Sequence, residues 1–242
     1  MNKLGSYTFG IDAYSTDFRG KATLALIAGM LLQAAGKHAE ERGFGYSYMI
    51  SKNITWVFSR LMIEMYEYPV NDTKVTVRTW VSDVNKLFSE RSFAIESEEG
   101  KVIGYARSFW AAIDTETRKP TNILNLSGLV DFKSDYPCPI SNMKKILPIR
   151  DEEAVGKFTI RYSDVDINNH LNSVKYIEHF VDIFDIDLFK SKEIRRFDIS
   201  YQNEARFGTR LKLYRKEESE GVFLLEMKSD DLTVSTARVA WK

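Results

Sequence analysis

The chain repeats itself in order, so whatever one half folds into the other must fold into as well. Phe9, Ile11 and Asp17 recur as Phe158, Ile160 and Asp166 at one offset (158 − 9 = 149). Ile63, Thr73, Val75 and Val77 recur as Ile199, Thr209, Leu211 and Leu213 at a smaller one (199 − 63 = 136). Ala106, Arg107 and Trp110 recur as Ala237, Arg238 and Trp241 (237 − 106 = 131). A falling offset describes a second copy that is shorter than the first.

Each copy reads as a strand, one long helix and then several strands. In the first, Ala22 to Arg42 is apolar almost all round through Leu24, Leu26, Ile27, Met30, Leu31 and Leu32, which predicts a buried helix, and Gly43 suits its end. Thr55 to Tyr66, Lys74 to Val81, Ser89 to Ser97 and Lys101 to Asp114 carry β-branched and aromatic residues in partial alternation, with a hairpin turn expected at Glu98-Glu99-Gly100. In the second copy the strands are expected at Lys157 to Ser163, Arg195 to Glu204, Arg210 to Glu217, Val222 to Ser229 and Leu232 to Trp241, and the helix from Ser173 to about Asp185. Pro120, Pro137, Pro139 and Pro148, four of the five prolines, fall in an aperiodic run between the copies. The expected division is a first domain over 1–123, a linker over 124–156 and a second domain over 157–242. A sheet wrapped round one central helix, present twice, is a tandem hotdog of the α+β class.

Composition removes several functions. With 242 residues and 44% hydrophobic content the chain can bury one large core or two small ones. Lys plus Arg and Asp plus Glu both total 34, so no net field recruits nucleic acid or an anionic membrane. Cys138 is the only cysteine, which excludes an intramolecular disulfide and a multi-cysteine metal site. His38 and His179 lie apart from any ligand cluster and are assigned structural roles, so no metal is expected. The start of the sequence lacks an apolar leader, and the most apolar window, Leu24 to Leu32, is too short to cross a bilayer. A cytoplasmic protein without membrane insertion is expected.

The stretch from Ser163 to Tyr176 carries the chemistry. On an extended backbone Asp166, Asn168 and His170 share one face, while Ile167 and Asn169 point away. Val174, Ile177, Val181 and Phe184 follow at helical spacing, with Asn172 or Ser173 as N-cap. The row therefore enters a helix N-terminus, whose backbone N–H groups, expected at Asn172, Ser173 and Val174, suit a developing oxyanion. The competing reading is a loop in which Asp and Asn merely form turns and cap the helix.

With row, helix and duplication in hand, the sequence resembles the acyl-acyl carrier protein (acyl-ACP) thioesterases of bacteria and plastids, over roughly Tyr7 to Trp241. Asp164 to Ile177 is similar to the family's D-x-D-x-N-x-H-x-N-N-x-x-Y-I signature, and Asp17 to Ala22, Arg60 to Pro69, Thr79-Trp80-Val81, Ser108-Phe109-Trp110 and Asp114 to Lys119 match in the first half. The resemblance implies Asp166, Asn168 and His170 as active-site residues, and Glu204 as well, because Tyr201-Gln202-Asn203-Glu204-Ala205 resembles the segment Y-x-x-E-C. Ala205 stands where plant relatives have a cysteine, so an acyl-cysteine route at that position is closed.

The activity so implied is hydrolysis of acyl-ACP to free fatty acid, with the phosphopantetheine arriving on the substrate and no cofactor of the enzyme's own. Glu204 and His170 are expected to hold and deprotonate a water, Asp166 to orient the row, and Asn168 with the helix N-terminus to polarise the carbonyl. The first copy has Lys21 where the second has His170 (170 − 149 = 21), so a binding half is expected there, with Met30, Met49 and Trp56 lining an acyl tunnel or simply filling core. The carrier is acidic and would meet Lys and Arg near the pocket mouth; pairing of two chains is left open. Two rivals stand: an acyl-coenzyme A thioesterase of the same fold, and a non-catalytic acyl-binding or regulatory hotdog protein.

Overall fold

A computed structural model of the chain describes residues 2–126, 128–150 and 152–242. The chain divides into two compact units, Met1–Ser141 and Asn142–Lys242.

The first unit opens with β1 (Gly5–Gly10) and a 3-10 turn at Ala13–Ser15, then α1 (Leu24–Glu41) and a short α2 (Tyr46–Ser51). The strands β2 (Ile54–Met65), β3 (Lys74–Val84), β4 (Ser89–Glu96) and β5 (Val102–Asp114) follow. They pair antiparallel in the order β1-β3-β4-β5-β2. The helix expected over Ala22 to Arg42 starts two residues later because the Thr23 hydroxyl caps it, accepting from Leu26 N–H at 3.1 Å. It ends before Gly43, which takes φ +76°, a conformation costly for any residue with a Cβ. Leu24, Ile27, Met30, Leu31, Ala34 and His38 form its buried face. The turn expected at Glu98-Glu99-Gly100 is present, with Ser97 N–H donating to Lys101 O and Gly100 at φ +80°.

The run expected as a linker packs on the first unit through much of its length. Leu126 and Leu129 are buried in one cluster with Phe44, Met49, Val81 and the preceding Ile123, and the unit continues through Ser141. An aperiodic, proline-bearing sequence hides this, since such contacts come from single side chains rather than from a repeating face.

The second unit contains β6 (Gly156–Thr159), a 3-10 turn at Tyr162–Asp164, α3 (Ser173–Val181), α4 (Ile186–Ser191), β7 (Ile194–Tyr201), β8 (Arg210–Ser219), β9 (Val222–Ser229) and β10 (Leu232–Trp241). Its strands pair antiparallel in the order β7-β10-β9-β8-β6. Two expectations are corrected. The strand expected to reach Ser163 stops at Thr159, because Asp164 Oδ2 accepts from Arg161 N–H at 2.8 Å and folds the chain into the 3-10 turn. The helix expected to run to about Asp185 stops at Val181, since Asp185 instead caps α4 by accepting from Asp187 N–H at 2.8 Å.

The repeat seen in sequence is a repeat of pairings. Phe9 faces Val75 as Phe158 faces Leu211, and Ile63 faces Ala106 as Ile199 faces Ala237. Ile11 N–H donates to Thr73 O as Ile160 N–H does to Thr209 O.

Candidate active site

The loop between β6 and α3 is held at both ends by Asp164. Besides taking the Arg161 amide, this buried residue accepts Asn172 N–H on its own carbonyl at 2.8 Å. Within the loop Asp166 N–H donates to His170 O at 2.8 Å and Asn169 N–H to Asp166 O at 2.9 Å. The Asp166 carboxylate accepts two more amides, Asn168 at 2.8 Å and His170 at 3.2 Å, and Asn169 adopts φ +61°, which asparagine tolerates better than most residues. Residues 166–170 are thus a tight turn rather than the extended row expected, and the alternation of faces does not apply to them. Asp166 binds its own loop, and Asn168 is exposed on the turn.

Two links then bring a distant segment to the turn. Leu171 N–H donates to Ala205 O at 2.8 Å, and His170 forms a bridge with Arg206. Between those residues and the end of β7 lies Glu204, whose Oε2 stands 3.2 Å from His170 Nε2. The two side chains are 41% and 19% exposed respectively, so the pair is sheltered on the imidazole side and open to water on the carboxylate side. Of the four residues implied as catalytic, the fold joins His170 to Glu204 and uses Asp166 to shape the turn that presents the imidazole.

The helix N-terminus departs in part from expectation. Asn172 is the N-cap, its side chain accepting from Val174 N–H at 2.8 Å, while its own N–H goes to Asp164. The Asn172 and Val174 amides are therefore committed within the chain and are not open to an oxyanion. Ser173 N–H is the one of the three expected donors that is not so committed. The helix cap took the Val174 amide, and the loop-closing bond to the Asp164 carbonyl took that of Asn172.

A buried phenol that the sequence argument passed over also belongs to this neighbourhood. Tyr176, the fourth residue of α3, accepts from the Ala205 backbone N–H and packs edge-on against Tyr201 at 5.3 Å. Burial, reinforced by the negative charges of Glu204 and Asp166, pushes its pKa well above the usual phenol value, so it stays a neutral O–H donor. Its place in the signature was the available signal. His179 stacks on Phe158 at 3.6 Å with Nε2 3.7 Å from Asp164 Oδ1, and burial holds it below the ordinary histidine pKa. Cys138 Sγ lies 3.7 Å from Ala106 O in the first unit.

Met30, Met49 and Trp56 all belong to the first unit. Met49 and Trp56 share the cluster around Phe44, with Trp56 Nε1–H donating to Phe44 O at 2.9 Å, and Met30 is buried on α1. Among the described residues no three His, Cys, Asp or Glu side chains are grouped to hold a metal ion. No helix among them is long and apolar enough to cross a membrane.

Residues 3–126 match the acyl-ACP thioesterase N-terminal domain and residues 149–242 the corresponding C-terminal domain. The chain belongs to the acyl-ACP thioesterase family. An acyl-ACP thioesterase structure from Bacteroides thetaiotaomicron is 42% identical, with a TM-score of 0.95 over 100% of this chain and 98% of that one. The 12:0-ACP thioesterase of Umbellularia californica, at 21% identity, shares the fold with a TM-score of 0.87 over 99% of this chain and 94% of that one. Both bear out the tandem hotdog architecture. The chloroplastic palmitoyl-acyl carrier protein thioesterase of Gossypium hirsutum is 27% identical over 82% of this chain. The chain spans 51% of that relative's length and 58% of an oleoyl-acyl carrier protein thioesterase from Arabidopsis thaliana.

Proposed function

We propose that the chain hydrolyses acyl-ACP to free fatty acid and the thiol form of the carrier, with water as the nucleophile. The observation that carries this reading is the contact of His170 Nε2 with Glu204 Oε2 at 3.2 Å, on a turn whose counterpart in the first unit has Lys21 in place of the imidazole. A carboxylate and an imidazole that share a hydrogen can take a proton from a water held beside them. The water oxygen then attacks the thioester carbonyl carbon, and the carbonyl electron pair moves onto oxygen. Ser173 N–H at the start of α3 and the Asn168 side chain, exposed on the turn, are the donors toward that oxyanion. Collapse of the intermediate expels a thiolate, which needs little acid assistance, and the proton held by the pair returns to the products.

A cysteine nucleophile finds no support. Ala205 occupies the position next to Glu204, and the thiol of Cys138 lies in the first unit against a backbone carbonyl. The reading calls on no cofactor of the enzyme's own, and it places the enzyme in the cytoplasm with its soluble carrier. The first unit is assigned to acyl-chain selection. Met30→Trp or Met49→Trp should then shorten the preferred acyl group.

The test is release of free thiol and fatty acid from acyl-ACP, compared with the same acyl group on coenzyme A. Preference for the carrier-borne substrate supports the reading, equal or better use of coenzyme A favours the rival thioesterase, and binding without release favours a non-catalytic protein.

A further inference from the structure

In the second unit Lys157 on β6 stands opposite Lys212 on β8, and Lys212 opposite Lys228 on β9. Residues so paired project from the same face with Cβ atoms about 5 Å apart, and like charges in that position repel. Lys228 is relieved by the buried Glu226, at 3.3 Å. Lys157 and Lys212 are exposed, and among the described residues neither forms an ion pair with an acid. Arg210, also exposed, lies two residues from Lys212 on the same face of β8, opposite Thr159.

Neither of the ordinary explanations accounts for the row. Lys228 is tied to Glu226, to the Ile149 carbonyl at 3.4 Å and to the Tyr214 ring, so Lys157, Lys212 and Arg210 are what remains to be explained; lysines do protect exposed strand edges, and β6 is terminal in its unit, but β8 has neighbours on both sides. The fold does not demand them either, because the first unit builds the same three-strand register from Thr8, Thr76 and Glu96, with the two threonine hydroxyls 3.1 Å apart.

We propose that the lysine row is the docking surface for the acidic protein that carries the thioester, an inference that rests on the reading of the chain as a carrier-dependent thioesterase. The row adjoins the candidate site through the chain itself. β6 runs from Lys157 into the loop that holds Asp166 and His170, and β8 starts directly after the turn in which Arg206 bridges His170. A carrier seated on the row presents its flexible pantetheine arm to that loop. Duplex nucleic acid and anionic bilayers share the required sign of charge, but the chain's balance of 34 basic and 34 acidic residues gives no general attraction to polyanions, and neither of them bears a thioester.

The experiment uses the full chain and the variant Lys157→Thr/Lys212→Thr, which installs the threonine pair of the first unit. Two substrates are compared, one acyl group on acyl carrier protein and the same group on pantetheine alone. The expected result is a fall of about tenfold in kcat/KM on the carrier substrate at low salt, mostly through KM, with a weakened salt dependence. Turnover of the pantetheine thioester should not change, and the melting temperature should hold or rise, since the facing charges are removed. Unchanged carrier turnover in the folded variant would overturn the docking surface, as would a wild-type kcat/KM on the carrier that is indifferent to salt. Loss of binding to a duplex oligonucleotide or to anionic vesicles, with carrier turnover intact, would overturn it in favour of another polyanion. A wild-type chain that cleaves neither thioester rejects the thioesterase reading, and this inference with it, whereas pantetheine turnover alongside intact carrier turnover in the variant rejects only the docking surface.

Discussion

The turns at 17–21 and 166–170 are one backbone put to two uses. Asp17 N–H donates to Lys21 O at 2.7 Å and Gly20 N–H to Asp17 O at 2.9 Å, as Asp166 and Asn169 do in the second turn. The Asp17 carboxylate accepts the Arg19 and Lys21 amides at 2.8 and 3.1 Å, as Asp166 accepts those of Asn168 and His170. Gly20 takes φ +72° where Asn169 takes +61°. The side chains differ. Arg19 closes onto Asp17 Oδ2 at 2.6 Å where the second turn has the uncharged Asn168, and Tyr68 stands where the second unit has Glu204 (204 − 136 = 68). Burial alone would raise the Asp17 carboxyl, but the Arg19 guanidinium and the turn amides outweigh it and hold the group below its usual range. The aspartate thus shapes the same turn in both units, and the proposed hydrolysis rests on the three positions where the units differ, Asn168, His170 and Glu204.

The largest expected difference between the turns lies at their last residue. His170→Ala should lower hydrolysis by roughly two to four powers of ten with the melting temperature nearly unchanged, whereas Lys21→Ala should leave the rate on a pantetheine thioester near wild type. Equal effects on rate would erase the distinction between the turns. The aspartates separate stability from activity. Asp17→Ala and Asp166→Ala each remove a carboxylate that accepts two backbone amides, at a cost of about 2 kcal/mol in urea unfolding, but only Asp166→Ala should also reduce hydrolysis.

Acidification gives a third contrast, because the first unit buries an imidazole beside two arginines, Arg91 and Arg42. His38 Nδ1 meets Arg91 Nη1 at 3.0 Å, and burial with the charges of Arg91 and Arg42 pulls its pKa down to about 3. A histidine depressed in the folded state contributes stability that is complete above the unfolded value of about 6.5 and declines as pH falls toward 3, by at most about 1.4 kcal/mol per pH unit. The melting temperature should therefore drop between pH 7 and pH 5, and His38→Gln should flatten that slope. In the second unit His179 faces Asp164, with Asp182 and Glu178 also favouring its protonation, so His179→Gln should alter the slope less. The smallest effect is expected at Cys138, where Cys138→Ser should leave rate and pH profile unchanged; a large loss of rate at unaltered stability would reopen a nucleophilic thiol.

How much of this was legible beforehand follows from the range of the interactions. Phe9, Ile63 and Ala106 could be matched to Phe158, Ile199 and Ala237 because strand pairing repeats its apolar positions, and the duplicated architecture followed from them. The turn was hidden because Asp-x-Asn-x-His satisfies both an extended row and a side-chain-to-backbone turn, and only the links from Leu171 to Ala205 and from His170 to Arg206 decide between the two. The approach of Glu204 to His170 depends on the same nonlocal links, so the residues alone could not supply it and the family signature did. The helices at Tyr46–Ser51 and Ile186–Ser191 are too short to show a helical period. Tyr176 lies outside the apolar spacing of Val174, Ile177, Val181 and Phe184 and entered only through the family signature, since nothing local shows that the Ala205 amide meets its phenol.

The central claim is that His170 and Glu204 act as one proton-accepting unit. It is tested most directly by the kcat of wild type, Glu204→Gln, His170→Ala and the double variant on one acyl-ACP under single-turnover conditions. The expected result is a loss of roughly two to four powers of ten in each single variant, with the double variant little worse than the poorer of them, because the second change removes a partner already disabled. Losses that multiply would show two groups working independently, and near wild-type rates in either single variant would contradict the claim outright.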